Sequence, residues 1–396
     1  MAETLPQPMS VLHYIGLRGM TGVETFVVSL ASAQRKLGID AAITCHPSGR
    51  GRLFALAAER GVPVLPFIVP ASPTTVGFRR KWERLGLMLA RIQSLATRLR
   101  SAPYAVIHIH PVGFGCLPAY LAAILSRRTR GVVVTHHTTL SFNAAPKSLR
   151  ARTTFGLERH TADLITMPYA AAAAEVCAAG VAPQKVEMIP FCVDLEKFTY
   201  VERTANLEGT FNLLMSARLI AGKGHSEMIA AMQQLVAAGK DVHLTIAGDG
   251  PKLSSIAHMV QTKGLNAHIT LARQIEHQDI PKLIERMDAV VLPSYMPGET
   301  FPISLLEAAA MGVPAVGTRW FGIPAIIVDG ETGLLVDPKD VDGLTRALKS
   351  LIDDRLNAKR LGNNARARAA LVYSAAVIAN NYLNHYNRII GLKKCT

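Results

Sequence analysis

The chain has 396 residues, too many for one ordinary domain of roughly 100–200, so two domains are expected. Hydrophobic residues make up 49% and charged residues 18%, enough apolar material for two cores, and the 30 glycines and 22 prolines exclude a disordered, collagen-like or low-complexity chain. The formal charge of +14 is uneven: residues 1–200 carry 22 Lys and Arg against 11 Asp and Glu, a net +11, and residues 201–396 carry 21 against 18, a net +3, so the first half points a positive field at an anionic substrate, a membrane surface or a nucleic acid.

In chain order, Met1–Pro6 lacks the basic and then apolar run of a signal peptide. Val11–Ile15, Ala41–Cys45, Val62–Phe67, Ala105–His110, Gly131–His136, Leu164–Met167 and Val186–Ile189 read as strands, with helical patterns such as Glu24–Leu37 between them. These runs are continuously apolar rather than alternating, as in parallel strands buried on both faces. After the first run comes Gly16-Leu17-Arg18-Gly19-Met20-Thr21-Gly22-Val23-Glu24. Its glycines let backbone N–H groups approach an anion at a helix start, although the spacing is neither GxGxxG nor a P-loop and also suits a packing turn.

Phe78-Arg79-Arg80-Lys81-Trp82 opens a basic amphipathic pattern that runs on to Arg98 and Arg100, suited either to an anionic membrane interface or to a solvated face. The longest apolar stretch, Gly115–Leu125, has about half of the roughly 20 residues a spanning helix needs. His108 and His110 end one strand on a shared face, and His136-His137 end the next. Four imidazoles suit zinc, copper or nickel, but with no Cys, Asp or Glu nearby no metal is expected. Histidines bonded to loop carbonyls account for at least two of the four, and one is left as a substrate contact.

After the polar stretch Glu202–Gly209 the alternation restarts with Phe211–Ser216, Val242–Ala247, Ile269–Leu271, Ala289–Pro293 and Val313–Thr318. Two successive βα runs imply an α/β protein of two Rossmann-like, doubly wound parallel-sheet domains, residues 1–200 and 201–372, rather than a single barrel. A final segment, residues 373–396, holds the helical pattern Tyr373–Leu392 with Tyr382 and Tyr386 spaced i, i+4. Ligands in such folds sit beyond the carboxyl ends of the strands. There, Arg218 and Lys223 share a loop ahead of a helix, a fork and a point charge suited to a diphosphate. Glu299 follows a later strand and Glu307 lies eight residues on, amid Ile303, Leu305 and Leu306. A carboxylate buried there needs a partner. Glu299 is placed to bind sugar hydroxyls, Glu307 a ribose diol, and the backbone N–H groups of Thr300, Phe301 and Ile303 a phosphate. The five cysteines are scattered and form no CxxC pair, which fits a reducing cytoplasm rather than a disulfide framework or a zinc site.

With these residues assembled, the chain resembles the retaining glycosyltransferases of family 4, which have the GT-B architecture of two facing Rossmann-like domains. Thr21-Gly22-Val23-Glu24 resembles the family's glycine-glycine-x-glutamate turn and Val133–His137 its Thr-x-His strand end; Ile189–Asp194 resembles its linker opening. Arg218 and Lys223-Gly224, Gly248-Asp249-Gly250-Pro251, and Glu299 with Glu307 match its Arg…Lys-Gly, Gly-Asp-Gly-Pro and Glu-x7-Glu motifs. Thr21, Phe191-Cys192, Pro302 and Ala325 depart from the family pattern, and none of these departures removes Arg218, Lys223, Glu299 or Glu307.

The resemblance implies a UDP- or GDP-sugar donor, UDP slightly favoured, with its diphosphate on Arg218 and Lys223, its ribose on Glu307 and its sugar on Glu299. His137 and Gly22 complete the site from the first domain, the last helix crosses back to that domain, and neither metal nor cofactor takes part. The implied acceptor is a saccharide or a lipid-linked intermediate of polysaccharide or glycolipid synthesis, met in the cytoplasm or at an anionic membrane surface. A sugar-nucleotide epimerase or a non-catalytic binding module of the same fold is the competing reading. A nucleic-acid partner is not expected, since no reader module appears and aromatics are only 6%.

Overall fold

The Val- and Ile-rich runs form two all-parallel sheets of six strands each, the arrangement adopted when helices cover both faces. The computed structural model describes residues 9–16, 21–46, 51–66, 78–102, 104–111, 116–138, 149–200, 202 and 208–392. The chain divides into two compact units, Met1–Pro190 with Ala375–Thr396, and Phe191–Ser374.

The first unit holds β1 (Ser10–Ile15), β2 (Asp40–Cys45), β3 (Val106–His110), β4 (Gly131–Thr135), β5 (Leu164–Met167) and β6 (Val186–Met188), in the order β2-β1-β3-β4-β5-β6. The order reverses between β1 and β3, where His13 pairs in register with His108 and Ile15 with His110. The expected strand at 62–67 is reduced to a bridge between Ile43 and Val64. Pro63 and Pro66 supply no N–H, which confines such a run to a sheet edge; Phe67 lies outside the described residues. The helix Ala375–Leu392 packs on the helix Thr21–Lys36 and on β4, burying Tyr382 and Tyr386 completely.

The second unit holds β7 (Phe211–Ser216), β8 (Val242–Ala247), β9 (Ile269–Arg273), β10 (Ala289–Leu292), β11 (Ala315–Thr318) and β12 (Gly333–Val336), in the order β12-β11-β10-β7-β8-β9. This is the Rossmann order, with its switch point between β7 and β10. Its core includes Phe211, Leu213, Met215, Met228, Met232, Leu244 and Val291. The boundary falls at Pro190/Phe191 rather than after residue 200, because Phe191 is buried and packs edge-on against Phe301, their centroids 5.6 Å apart. The expected helix 373–392 starts at Ala375: Tyr373 closes a π-helical turn, Ala369–Tyr373, and its hydroxyl donates to the Ala325 carbonyl at 2.6 Å. The short strand β12 had no run long enough to announce it. Among the described residues Cys45, Cys116, Cys177 and Cys192 form no disulfide with one another, and no helix is long and apolar enough to cross a membrane.

Candidate active site

In the second unit the loops after β7 and β10 meet at the switch point. Tyr295 N–H donates to the Gly222 carbonyl at 2.7 Å. Gly224 has φ +83°, and a Cβ there would lie 2.1 Å from the Pro293 carbonyl oxygen, so only glycine lets the loops approach so closely. Gly248, after β8, is equally restricted, a Cβ falling 2.0 Å from the Ala217 oxygen.

This approach joins Lys223 to Glu299. Lys223 Nζ lies 2.5 Å from Glu299 Oε2, with the residues only 9% and 6% exposed. The buried Ser294 hydroxyl donates to the same oxygen at 2.6 Å. One carboxylate oxygen thus takes both protein donors, and among the described residues Oε1 has none. Arg218 is exposed in the same loop, and among the described residues its guanidinium has no protein partner. Just beyond the loop, burial and the Lys223 ammonium push the His225 imidazole down to about 4, and its Nε2 is buried without a partner.

Glu299 lies ahead of the helix rather than in it: Pro302 is the N-cap and Ile303 the first residue of the helix Ile303–Ala310. Thr300 and Phe301 lie in the preceding loop, 3% and 4% exposed. Among the described residues the N–H groups of Thr300, Phe301 and Ile303 donate to no protein acceptor. Thr300 and Phe301 are buried and Ile303 half-buried, and unsatisfied N–H groups at the start of a helix make a ready anion site.

Glu307 is buried on that helix and has the partner its setting demands: His277 Nε2 lies 3.3 Å from Oε1. Lys197 Nζ lies 2.8 Å from His277 Nδ1. The ammonium is only a donor, so Nδ1 accepts and Nε2 carries the proton given to Glu307. His277 and Ser294 escaped the sequence reading; His277 lies 30 residues from Glu307, and no spacing rule links them.

The first unit gathers a second cluster. His13 Nδ1 lies 3.0 Å from His110 Nε2, His13 Nε2 lies 2.7 Å from Gln34 Oε1, and His110 Nδ1 lies 3.2 Å from His137 Nε2. His108 Nδ1 lies 2.7 Å from the Tyr386 hydroxyl and its Nε2 2.7 Å from Thr135 Oγ1. All these side chains are buried. Burial pushes His13 down to about 4 and His137 to about 3, and burial with the neighbouring imidazoles holds His108 and His110 well below the usual range.

His136 does not join this cluster. Its Nε2 lies 2.6 Å from Glu158 Oε1, and the Tyr120 hydroxyl donates to Oε2 at 2.6 Å. The expectation of no acidic residue near these histidines is therefore corrected: the helix Leu149–Thr161 brings Glu158 in. His13, His108 and His110 hold ligand-type atoms within 4.8 Å of one another. All six of their ring nitrogens already have hydrogen-bond partners, so the group closes on itself. Gly22, the other first-unit candidate, is the exposed second residue of the helix Thr21–Lys36; residues 17–20 of its turn lie outside the described residues.

Comparison with known proteins gives two family matches. The model described as Glycosyltransferase Family 4 matches residues 20–197, and the model described as Glycosyl transferases group 1 matches residues 197–368. The chain is 29% identical to the GDP-mannose-dependent alpha-(1-6)-phosphatidylinositol monomannoside mannosyltransferase of Mycolicibacterium smegmatis, over 64% of this chain and 70% of that one. It is 28% identical to the D-inositol 3-phosphate glycosyltransferase of an Arthrobacter species, over 88% and 86%. Against the alpha-D-kanosaminyltransferase of Streptomyces kanamyceticus, 32% identity is confined to 46% of each chain. Among solved structures, Anabaena HepE in complex with UDP and glucose superposes with a TM-score of 0.79 at 18% identity, over 96% of this chain and 100% of that one. A glycosyltransferase from Rickettsia africae gives 0.79 at 16%, over 97% and 99%.

Proposed function

Because the chain belongs to the family 4 glycosyltransferases, with the GT-B fold, we propose that it moves a hexose-type sugar from a UDP- or GDP-sugar to a hydroxyl of a saccharide or lipid-linked acceptor, retaining the anomeric configuration and using no metal. The observation that carries this reading is the Lys223–Glu299–Ser294 cluster beside the three unsatisfied N–H groups at the switch point of the second unit. The diphosphate binds these N–H groups, Lys223 and Arg218. An ammonium has three donors, so Lys223 holds Glu299 and a phosphate oxygen together. Glu299 Oε1 accepts from sugar hydroxyls, and Glu307, steadied by His277, accepts from the ribose diol.

Charge grows on the diphosphate as the bond from the anomeric carbon to its phosphate oxygen breaks. Lys223 and Arg218 oppose that charge most strongly in the transition state, which is where binding accelerates a reaction. The acceptor oxygen bonds to the same carbon from the leaving-group side, and its proton passes to the departing phosphate. No protein carboxylate forms a covalent intermediate. The names of the mannosyltransferase and inositol-phosphate relatives favour an acceptor bearing phosphate or lipid.

Membrane attachment is the second part of the proposal. Leu85 and Leu89, one turn apart on the helix Phe78–Ser101, are 40% and 56% exposed, and Ile124 and Leu125 at the end of the adjacent helix Leu117–Ser126 are 47% and 51% exposed. Arg100, Arg127, Arg128 and Arg130 accompany them in sequence. Apolar side chains rimmed by guanidinium groups suit an anionic lipid interface.

A screen of UDP- and GDP-sugars, with the product anomer read by nuclear magnetic resonance, tests the reaction. One donor is expected to be turned over with retention and with no loss in EDTA. Lys223→Ala and Arg218→Ala are each expected to lower turnover by roughly 10²–10³-fold with unchanged circular dichroism. Turnover of no donor, or full activity in both variants, overturns the proposal.

A further inference from the structure

In the second unit, the loop at the carboxyl end of β11 is laced to the loop that carries Glu299. Thr318 Oγ1 donates to the Ser294 carbonyl at 2.5 Å, Trp320 Nε1 to the Met296 carbonyl at 3.1 Å, and Gly322 N–H to the Glu299 carbonyl at 3.3 Å. On its other side Arg319 N–H donates to the Val336 carbonyl at 2.8 Å, and the Arg319 guanidinium to Asp329 at 2.6 Å. Between these anchors stand two aromatic residues. The rings of Trp320 and Phe321 have centroids 5.2 Å apart and are tilted by 59°, and both residues are only half-buried. Phe321 holds φ at +46°, a conformation that bulky side chains rarely adopt. Such backbone outliers persist where their surroundings fix them, and they gather at ligand sites. Here the fixing contact is the tether to Glu299.

We propose that Trp320 and Phe321 form an aromatic corner that takes the apolar C–H face of a pyranose whose hydroxyls reach Glu299. A pyranose needs both kinds of partner: its rim of hydroxyls suits a carboxylate, and its C–H face suits an apolar surface. Aromatic rings fit that face because their π faces carry partial negative charge and the C–H hydrogens partial positive. The single charged side chain of residues 318–325, Arg319, is paired with Asp329, so the corner is built for a neutral group rather than a phosphate. Sheet order sets which part of a nucleotide sugar the rings can meet. His277, on the loop after β9, bonds Glu307, and β9 lies four strand steps from β11, about 19 Å at 4.7–4.9 Å per step. A ribose and base held on the His277 side leave the Trp320 side to a sugar. The hydroxyl contact at Glu299 rests on the functional reading above; the aromatic corner itself is read from the loop.

The test uses the full chain labelled with 5-fluorotryptophan. The sequence has two tryptophans, so two ¹⁹F signals are expected, and the one lost in Trp320→Phe is assigned to Trp320. The protein is titrated with UDP and GDP, with UDP- and GDP-sugars, and with methyl pyranosides, alone and beside UDP or GDP. The Trp320 signal is expected to shift with a sugar-bearing ligand and to stay in place with the nucleotide alone. A shift with a nucleotide sugar makes the pyranose the donor's; a shift with a methyl pyranoside only makes it the acceptor's. A signal that no sugar-bearing ligand moves, or that UDP or GDP alone moves as far, overturns the corner. If calorimetry shows a nucleotide sugar bound beside an unmoved signal, the corner falls and the functional reading stands. If no nucleotide sugar binds but a methyl pyranoside shifts the signal, the corner stands and the functional reading falls. Phe321→Gly removes the ring and relieves its backbone conformation together. It is expected to raise the Kd of the sugar-bearing ligand by roughly 3–10-fold while the melting temperature holds or rises. An unchanged Kd, or a lowered melting temperature that marks the ring as core packing, overturns the proposal.

Discussion

His277 and Glu307 show how a single buried side chain holds a functional one. With one oxygen of Glu307 fixed by His277, the other is the one that the proposed function assigns to the ribose diol of the donor. His277→Ala strands a carboxylate only 7% exposed, and a buried polar group without its partner costs about 1–3 kcal/mol. The expected result is a donor KM raised by roughly tenfold or more, about that cost converted at 1.4 kcal/mol per tenfold, with a smaller change in kcat. Steady-state kinetics at varied donor concentration reads it.

The first-unit histidines give a prediction with a definite sign. Unfolded, their rings take up protons below about 6.5; folded, His13 does so only at about 4 and His137 at about 3. The unfolded chain therefore binds more protons across that window, and stability falls as pH drops through it, by up to about 1.4 kcal/mol per pH unit for each ring. Urea midpoints are expected to be level from pH 8 to 7 and to fall steadily from 6.5 to 5, and a rise on acidification contradicts the assignment. Arg218, Lys223, Glu299 and Glu307 were legible because their motif spacing spans few residues. His13, Gln34, Ser294 and His277 were not: the bonds of His13 and His277 reach from 21 to 97 residues along the chain, and a lone histidine or glutamine carries no periodicity.

At the scale of elements, the loops after β7 and β10 act as one device, because Gly224 is the contact that brings them together. Gly224→Ala places a methyl group against the Pro293 carbonyl at a backbone angle that alanine resists. It is expected to abolish measurable nucleotide-sugar binding by calorimetry while the histidine resonances of the first unit stay unchanged; binding at wild-type affinity would show that the loops can part without consequence. The strands were readable because a parallel sheet covered on both faces needs unbroken apolar runs. Where such a run contained Pro63 and Pro66 it failed, and β12 was missed because Gly333-Leu334-Leu335-Val336 is no longer than many loop fragments. The Glu-x7-Glu spacing was readable, but the start of its helix was not: Pro302 delays it past Thr300 and Phe301, whose N–H groups stay outside the helix.

For the whole molecule, the +11 of residues 1–200 against +3 of the rest sets the expected response to salt. Vesicles containing anionic lipid are expected to sediment the protein at low ionic strength and to release it as salt shortens the screening length to about 10 Å at 0.1 M; no binding to such vesicles at low salt would leave a soluble acceptor as the reading. That two domains exist was legible from length and from the restart of the βα pattern. That the first unit is discontinuous in sequence, closed by Ala375–Leu392, was implied by resemblance and not by any local pattern. This discontinuity has a temporal consequence. Residues 191–374 are made between the two parts of the first unit, and at roughly 5–20 residues per second the ribosome takes on the order of 10–40 s over them. Through that interval Gln34, His108, Thr135 and Thr166 await Tyr382 and Tyr386. The unit synthesised first is thus the last to be completed, and the nascent chain emerges with its second sheet able to close while its first still lacks the helix that seals it.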